Sequence, residues 1–251
     1  MRALVAIPIF NEAKYLRGVL TEVRKHIRDI LVIDDGSTDE TPMLLASETG
    51  VFRIRHPNNQ GYGQSLIDAF EFAIRHSYDW LITMDCDEQH EPRHIPEFLA
   101  AAREDDADII SGSRYLRRFD GDNHPPHDRQ TINMCITRLL NCAMGMNITD
   151  AFCGFKAYRV ASLTRLHLTV PGYAMPLQFW VQAVRAGLRI RELPIRLIYK
   201  DPGRHFGGNL DDPRARLQHY LEVLAAELAA RPAGARVEQT TEGTCCTSRR
   251  C

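Results

Sequence analysis

Residues 81 to 92 read LITMDCDEQHEP, an apolar run that delivers Asp85 and Asp87 one residue apart, with Gln89 and His90 close behind. Alternation at a strand end turns both carboxylates to one side. Hard oxygen donors of this kind suit Mg²⁺ or Mn²⁺, which also hold substrate phosphates, and Gln89 could supply another oxygen. Two other readings compete. The stretch could be an acidic turn capping a helix that starts at Pro92, or His90, Glu91 and His94 could form the H-E-x-x-H of a zinc protease. The protease needs both histidines on one continuous helix. Pro92 suits a first helical turn, which leaves His90 outside it, and no third zinc ligand follows at a suitable spacing.

Other residues of the same character recur. VIDDGSTDET places Asp34 and Asp35 in a β-to-α turn, where a carboxylate can accept hydrogen bonds from a ribose or base. Ser37, Thr38 or Asp39 there could equally cap the next helix. NNQGYGQS lacks both G-x-G-x-x-G and a Walker lysine, so it reads as a turn. Arg114 follows SGS, and Arg129 and Arg204 lie in loop-like stretches. Guanidinium groups near a metal suit diphosphate recognition, whereas any one alone reads as solvated surface. Asp150, in NITDAFCGF, is either a catalytic base or a turn cap. Cys153 beside it has no evident histidine partner and reads as packing.

The elements that must position these groups follow from periodicity. ALVAIPIF, DILVIDDGS, VFRIRHP, DWLITMD and ADIISGSRY read as strands. They alternate with helical patterns that put Leu16, Val19, Leu20 and Val23, then Leu66, Ala69, Phe70 and Ala73, on one face. Such alternation predicts a mostly parallel sheet with right-handed crossovers, whose ligands sit at the carboxyl ends of strands. Glu12, Asp34, Asp35, Asp85, Asp87 and Arg114 all fall there. Residues 116–130 read as a loop, and 131–145 as an amphipathic helix. ITDAFCGFKAYR and IRELPIRLIY read as strands around the helix MPLQFWVQAVRAG, and a last helix runs from about Asp211 to Arg231.

With 251 residues, 44% hydrophobic and 25% charged, the chain has ample material for a core. A net charge of −1 gives no basic field for nucleic acid. The 7 cysteines show neither C-x-x-C nor a disulfide framework, which fits a reducing cytoplasm. No apolar run is long enough to span a membrane. Residues 232–251 hold too few apolar side chains to pack and are expected to be disordered.

In order along the chain, IPIFNEA, VIDDGSTDET, NNQGYGQS, DCDEQHEP, SGSRY, ITDAFCGFKAYR, GLRIRELPI and the R-x-x-G of RHFGG resemble family 2 glycosyltransferases. Within that family they are similar to the polyprenyl- or dolichyl-phosphate mannosyltransferase branch. The resemblance covers roughly residues 3 to 210. It implies a single α/β domain of the GT-A fold over residues 1–231, with a nucleotide-sugar half (1–115), an acceptor half (116–210) and a C-terminal helix (211–231).

The resemblance further implies an inverting, metal-dependent transfer from GDP-mannose or a UDP-sugar to a polyprenyl phosphate, in glycan biosynthesis of the cell envelope. Pro8, Phe10, Glu12, Ile33 and Asp35 fall where the family holds the nucleoside. Asp85, Asp87 and Gln89 match the ligands of Mg²⁺ or Mn²⁺, with the Cys86 backbone alongside. Arg114 and Arg129 match phosphate-contacting arginines, and Arg204 one near the acceptor. Asp87, Arg114 and Asp150 are the candidates for catalysis. A phosphate acceptor is already ionised and needs no strong base, whereas a sugar or small-molecule hydroxyl acceptor would need one, with Asp150 the candidate. A nucleotide-sugar-binding protein without catalysis is the remaining alternative. The branch usually carries a lysine after GY and ends R-x-x-G-x-S-K, where this chain has Ala174 and Gly207-Gly208-Asn209-Leu210. A cytoplasmic protein is implied, with residues 116–146 as the surface for peripheral contact with the membrane.

Overall fold

The computed structural model describes residues 1–87, 89–123, 125–199 and 206–230. Its strands are β1 (Ala3–Ile9), β2 (Ile30–Asp34), β3 (Phe52–Arg55), β4 (Trp80–Thr83), β5 (Ile109–Ser113), β6 (Lys156–Arg159) and β7 (Ile190–Pro194), of which β1, β2 and β4 form on short apolar runs. They pair in the order β3-β2-β1-β4-β6-β5-β7. All neighbours run parallel except β6, which is antiparallel to both β4 and β5.

The central strands are apolar on both faces, as sheets covered by helices on each side must be. Leu4 and Ala6 of β1, Leu31 and Ile33 of β2, and Leu81 of β4 enter one cluster. Helices α3 (Tyr62–Arg75), α5 (His127–Met144), α6 (Val160–Leu163), α7 (Met175–Arg185) and α8 (Pro213–Ala229) supply most of its other members. Val5, Ile7 and Ile9, Ile30 and Val32, and Trp80 and Ile82 face the opposite way. There they meet α1 (Leu16–Val23), α2 (Thr41–Ser47) and α4 (Ile95–Arg103). The four residues expected inward on α1 and the four on α3 are all buried.

Three expectations about elements are corrected. The helix expected from residue 131 begins at His127, after Pro126 in an extended conformation (ψ 136°), and closes on left-handed Gly145. Helix α2 starts at Thr41, and neither Ser37 nor Thr38 caps it. Ser37 Oγ instead accepts the Asn11 N–H (2.9 Å), and the Thr38 N–H donates to Asn11 Oδ1 (2.8 Å). Those bonds stitch the loop after β1 to the loop after β2. Finally, ITDAFCGFKAYR becomes strand only from Lys156. The expected disordered tail, 232–251, lies outside the described residues.

In the loop before β6, residues 149–151 make hydrogen bonds to side chains instead of to a neighbouring strand. Glu192 of β7 accepts the Thr149 N–H (2.9 Å), the Thr149 hydroxyl (2.9 Å) and the Asp150 N–H (3.3 Å). The Ala151 N–H donates to Thr137 Oγ1 (3.2 Å), and the Ala151 carbonyl accepts the indole N–H of fully buried Trp180 (2.9 Å). Because β6 runs against its neighbours, this loop emerges at the edge where β4 and β5 end.

Trp180 therefore both fills the core and holds the loop. Trp180→Ala should lower unfolding free energy by about 3–5 kcal/mol, read by denaturant titration. A loss below about 1 kcal/mol would show that the loop is not secured from this side.

Candidate active site

At the carboxyl edge of the sheet a cleft of about 1010 Å³ collects residues from both halves of the chain. Pro8, Phe10, Glu12 and Asp35 line it. Asp85, Cys86, Asp87 and Gln89 line it too, as do Arg114 and Arg129. Two residues expected in the site are placed elsewhere. Ile33 is fully buried in the core beneath the sheet and does not line the cleft. Asp150 is fully buried behind Arg114. Arg204 lies outside the described residues.

The Asp85 carboxylate rests on backbone. A Cβ on Gly154 would come within 2.5 and 2.8 Å of its two oxygens and 2.9 Å of the Tyr62 hydroxyl, so a larger residue there would displace the Asp85 carboxylate. Tyr62 donates its hydroxyl to Asp85 Oδ1 (3.0 Å), and the Asp85 N–H donates to His90 Nδ1 (3.0 Å). Burial pushes His90 down to about 4, so it is neutral with its proton on Nε2. That nitrogen lies 4.0 Å from Cys153 Sγ, so Cys153 does have a histidine neighbour. Burial pushes its thiol up to about 12, and an un-ionised thiol packs without reacting.

Asp87 is buried, and its Oδ1 accepts the Gln89 N–H (3.0 Å). Burial, together with the charge of Asp85, pushes its carboxyl up to about 7. A dication would relieve that repulsion. Among the described residues no group of three or more His, Cys, Asp or Glu is arranged to cage a metal. Two carboxylates and an amide oxygen, open toward the cleft, instead fit Mg²⁺ or Mn²⁺ completed by substrate phosphates. The zinc-protease pattern fails as expected, because Glu91 is extended and only a short 3₁₀ turn, Pro92–His94, precedes α4.

Arg114 and Asp150 form a bidentate pair: Nε donates to Oδ2 (2.6 Å) and an Nη to Oδ1 (2.9 Å). Asn133 of α5 and the Phe152 N–H also donate to Oδ1 (2.9 and 3.2 Å). Burial alone would raise the Asp150 carboxyl, but Arg114 and these bonds hold it below the usual carboxylate range. A general base needs an accessible lone pair and a pKa near the working pH. Asp150 offers neither, and its position is that of a group that orients Arg114.

Asp35 is also engaged within the fold. Its oxygens accept the Gln60 N–H (2.7 Å) and the Gly61 N–H (2.9 Å), which anchors NNQGYGQS. That stretch, read above as a turn, opens α3 at Tyr62. His56 bridges the arrangement, with Nδ1 2.6 Å from Asp35 and Nε2 2.6 Å from Asp68. Sequence reasoning missed His56, Tyr62, Asn133 and Glu192. The signal available was the HP pair after β3 and the tyrosine between two glycines.

Residues 4–166 match the family Glycosyl transferase family 2. An undecaprenyl-phosphate mannosyltransferase from Micrococcus luteus is 31% identical over 212 residues, 81% of this chain and 86% of that protein. A UDP-N-acetylglucosamine–dolichyl-phosphate N-acetylglucosaminyltransferase from Methanococcus voltae is 26% identical over 223 residues, 81% of this chain and 88% of that protein. Among solved structures, glucosyl-3-phosphoglycerate synthase from Mycobacterium tuberculosis, bound to Mn²⁺, UDP and phosphoglyceric acid, superposes with a TM-score of 0.68. It is 18% identical, with 93% of this chain and 80% of that chain covered, which establishes the shared GT-A fold.

His56 gives the surroundings of Asp35 a pH signature. Burial would lower its pKa, but the two carboxylates raise it above the ordinary value. Its stabilising contribution is thus complete below the unfolded value of about 6.5 and is lost as pH rises through the higher folded value. The stability gap between the wild type and His56→Gln should therefore be widest near pH 6 and shrink under alkaline conditions. Equal gaps in denaturant titrations at pH 6 and pH 9 would contradict this.

Proposed function

The chain belongs to glycosyl transferase family 2, and from that premise we propose that this glycosyltransferase moves a sugar from a nucleotide-sugar to a polyprenyl-type phosphate. The observation that carries the reading is the combination, in one cleft, of the Asp85–Asp87 pair with Arg114 and Arg129, while Asp150, the expected base, is buried and engaged by Arg114. Relatives named for undecaprenyl- and dolichyl-phosphate transfer support the acceptor class. The same two names pair it with mannose and with N-acetylglucosamine, so both GDP-mannose and UDP-N-acetylglucosamine are candidate donors.

In this reading the nucleoside lies along Pro8, Phe10, Glu12 and Asp35, with the 43% exposed Phe10 ring as a surface for the base. Asp85, Asp87 and Gln89 hold Mg²⁺ or Mn²⁺, which when bound neutralises charge on the departing diphosphate. Arg114, fixed by Asp150, presents a second positive charge to the same oxygens, an electrostatic role that needs no reorganisation during transfer. Residues 1–115 act as the donor half and 116–210 as the acceptor half. An ionised phosphate oxygen attacks the anomeric carbon from the face opposite the leaving group, giving inversion. No side chain has to remove a proton, which agrees with the engaged state of Asp150.

Among the described residues no helix is long and apolar enough to cross a membrane. The outer side of α5 and the loop before it expose Leu116, Met134 and Leu139 beside Arg117, Arg118 and Arg138. Apolar anchors among basic side chains suit an anionic bilayer surface, and we assign peripheral contact to this face.

The reading is tested with purified protein, GDP-mannose or UDP-N-acetylglucosamine, Mn²⁺, and citronellyl phosphate or the alcohol citronellol. Transfer to the phosphate alone is expected, and transfer to the alcohol alone would reverse the acceptor assignment. Asp87→Ala should reduce transfer by about 10²-fold or more and abolish Mn²⁺-dependent nucleotide binding. In the wild type that binding should weaken by about tenfold per pH unit below the Asp87 pKa, because the cation must displace its proton. Turnover unchanged by the substitution would remove the metal from Asp87.

A further inference from the structure

The tyrosine between two glycines in NNQGYGQS has no part in the transfer as described so far. Tyr62 opens α3 and lines the cleft. Its hydroxyl donates to Asp85 Oδ1 (3.0 Å), and among the described residues it is the only group that donates to that carboxylate. The nitrogen nearest the other oxygen, His90 Nδ1 at 3.4 Å from Oδ2, already accepts the Asp85 N–H and has no proton to give. One phenol therefore sets the rotation of a carboxylate that faces the cleft.

Tyr62 takes its own position from the other half of the chain. Its ring stacks on Tyr173, just before α7, with centres 5.7 Å apart and planes 11° from parallel. The backbone is fastened on either side: the Gly61 N–H donates to Asp35 Oδ2 (2.9 Å) and the Gln64 N–H to the Pro171 carbonyl (2.9 Å). The flanking glycines make that approach possible. A Cβ at Gly61 would come 2.4 Å from the Pro171 carbonyl oxygen, and one at Gly63 would come 2.4 Å from that of Val170. Residues 170–173 thus press against the start of α3, and the ring stack carries their position to the hydroxyl.

Partners behind a metal ligand orient it, and their loss weakens metal binding. We infer that Tyr62 is a positioning residue: it holds Asp85 in the orientation that takes the cation, and Tyr173 of the acceptor half holds Tyr62. The inference rests on the proposed metal site of Asp85, Asp87 and Gln89 and extends it to these two tyrosines.

Mn²⁺ titrations of the full chain, followed by electron paramagnetic resonance with UDP and separately with GDP, test it. Tyr62→Phe keeps the ring and removes only the hydroxyl, and it should weaken Mn²⁺ binding by about tenfold or more. Tyr173→Leu should also weaken it, whereas Tyr173→Phe, which keeps the stack, should not. Combining Tyr62→Phe with Tyr173→Leu should cost no more than Tyr62→Phe alone, because both act through one hydroxyl. Additive losses would overturn the link between the two tyrosines. If Tyr62 only anchors α3, Tyr62→Phe will lower the denaturant midpoint without moving the Mn²⁺ constant; the inference then falls and the metal site stands. Absence of Mn²⁺ binding by the wild type with either nucleotide would remove the metal site itself, and this inference with it. Should Tyr62→Phe fail to fold, the Tyr173 variants decide: equal Mn²⁺ constants for Tyr173→Leu and Tyr173→Phe count against the inference.

Discussion

The buried pair between Arg114 and Asp150 is the interaction on which the rest of the site depends. A carboxylate with no solvent contact is costly unless its charge is matched and its lone pairs are filled. Here Arg114, Asn133 and a backbone N–H do both. The residues that fill them come from three separate elements, so the pair closes only when β5, α5 and the loop before β6 are all in place. Glu192 and Trp180 then secure that loop from the sides Asp150 does not reach. The positive group offered to the cleft is accordingly held by the fold, not by its own loop.

The single antiparallel strand makes this convergence topologically available. In an all-parallel sheet the segment preceding each strand would lie at the far edge, away from the ligand side. Reversing β6 brings residues 148–155 to the edge where β4 delivers Asp85 and β5 delivers Arg114. Gly154 can then lie directly under Asp85, where any side chain would push the carboxylate aside.

Much of this was legible in the sequence because it is local. Alternation and 3.6-residue periodicity gave the strands, the inward faces of α1 and α3, and the strand-end position of Asp85, Asp87 and Arg114. What stayed hidden depends on contacts across long sequence distances. Nothing near Asp150 announces that Arg114 occupies it from 36 residues away, or that Glu192 holds it from 42. Ile33 shares strand parity with Asp35, yet it lies within β2 and Asp35 just beyond the end, which sends one to the core and the other to the cleft.

The placement of the two tryptophans has an optical consequence. Trp180 donates its indole N–H to the Ala151 carbonyl, next to the residue that orients Arg114. Trp80 stands at the other end of β4, under the guanidinium of Arg159 at 5.0 Å. One fluorophore is thus wired to the working loop, and the other belongs to the opposite edge of the sheet. Intrinsic emission is therefore a label-free reporter in which local rearrangement at the cleft and global unfolding carry separate signatures.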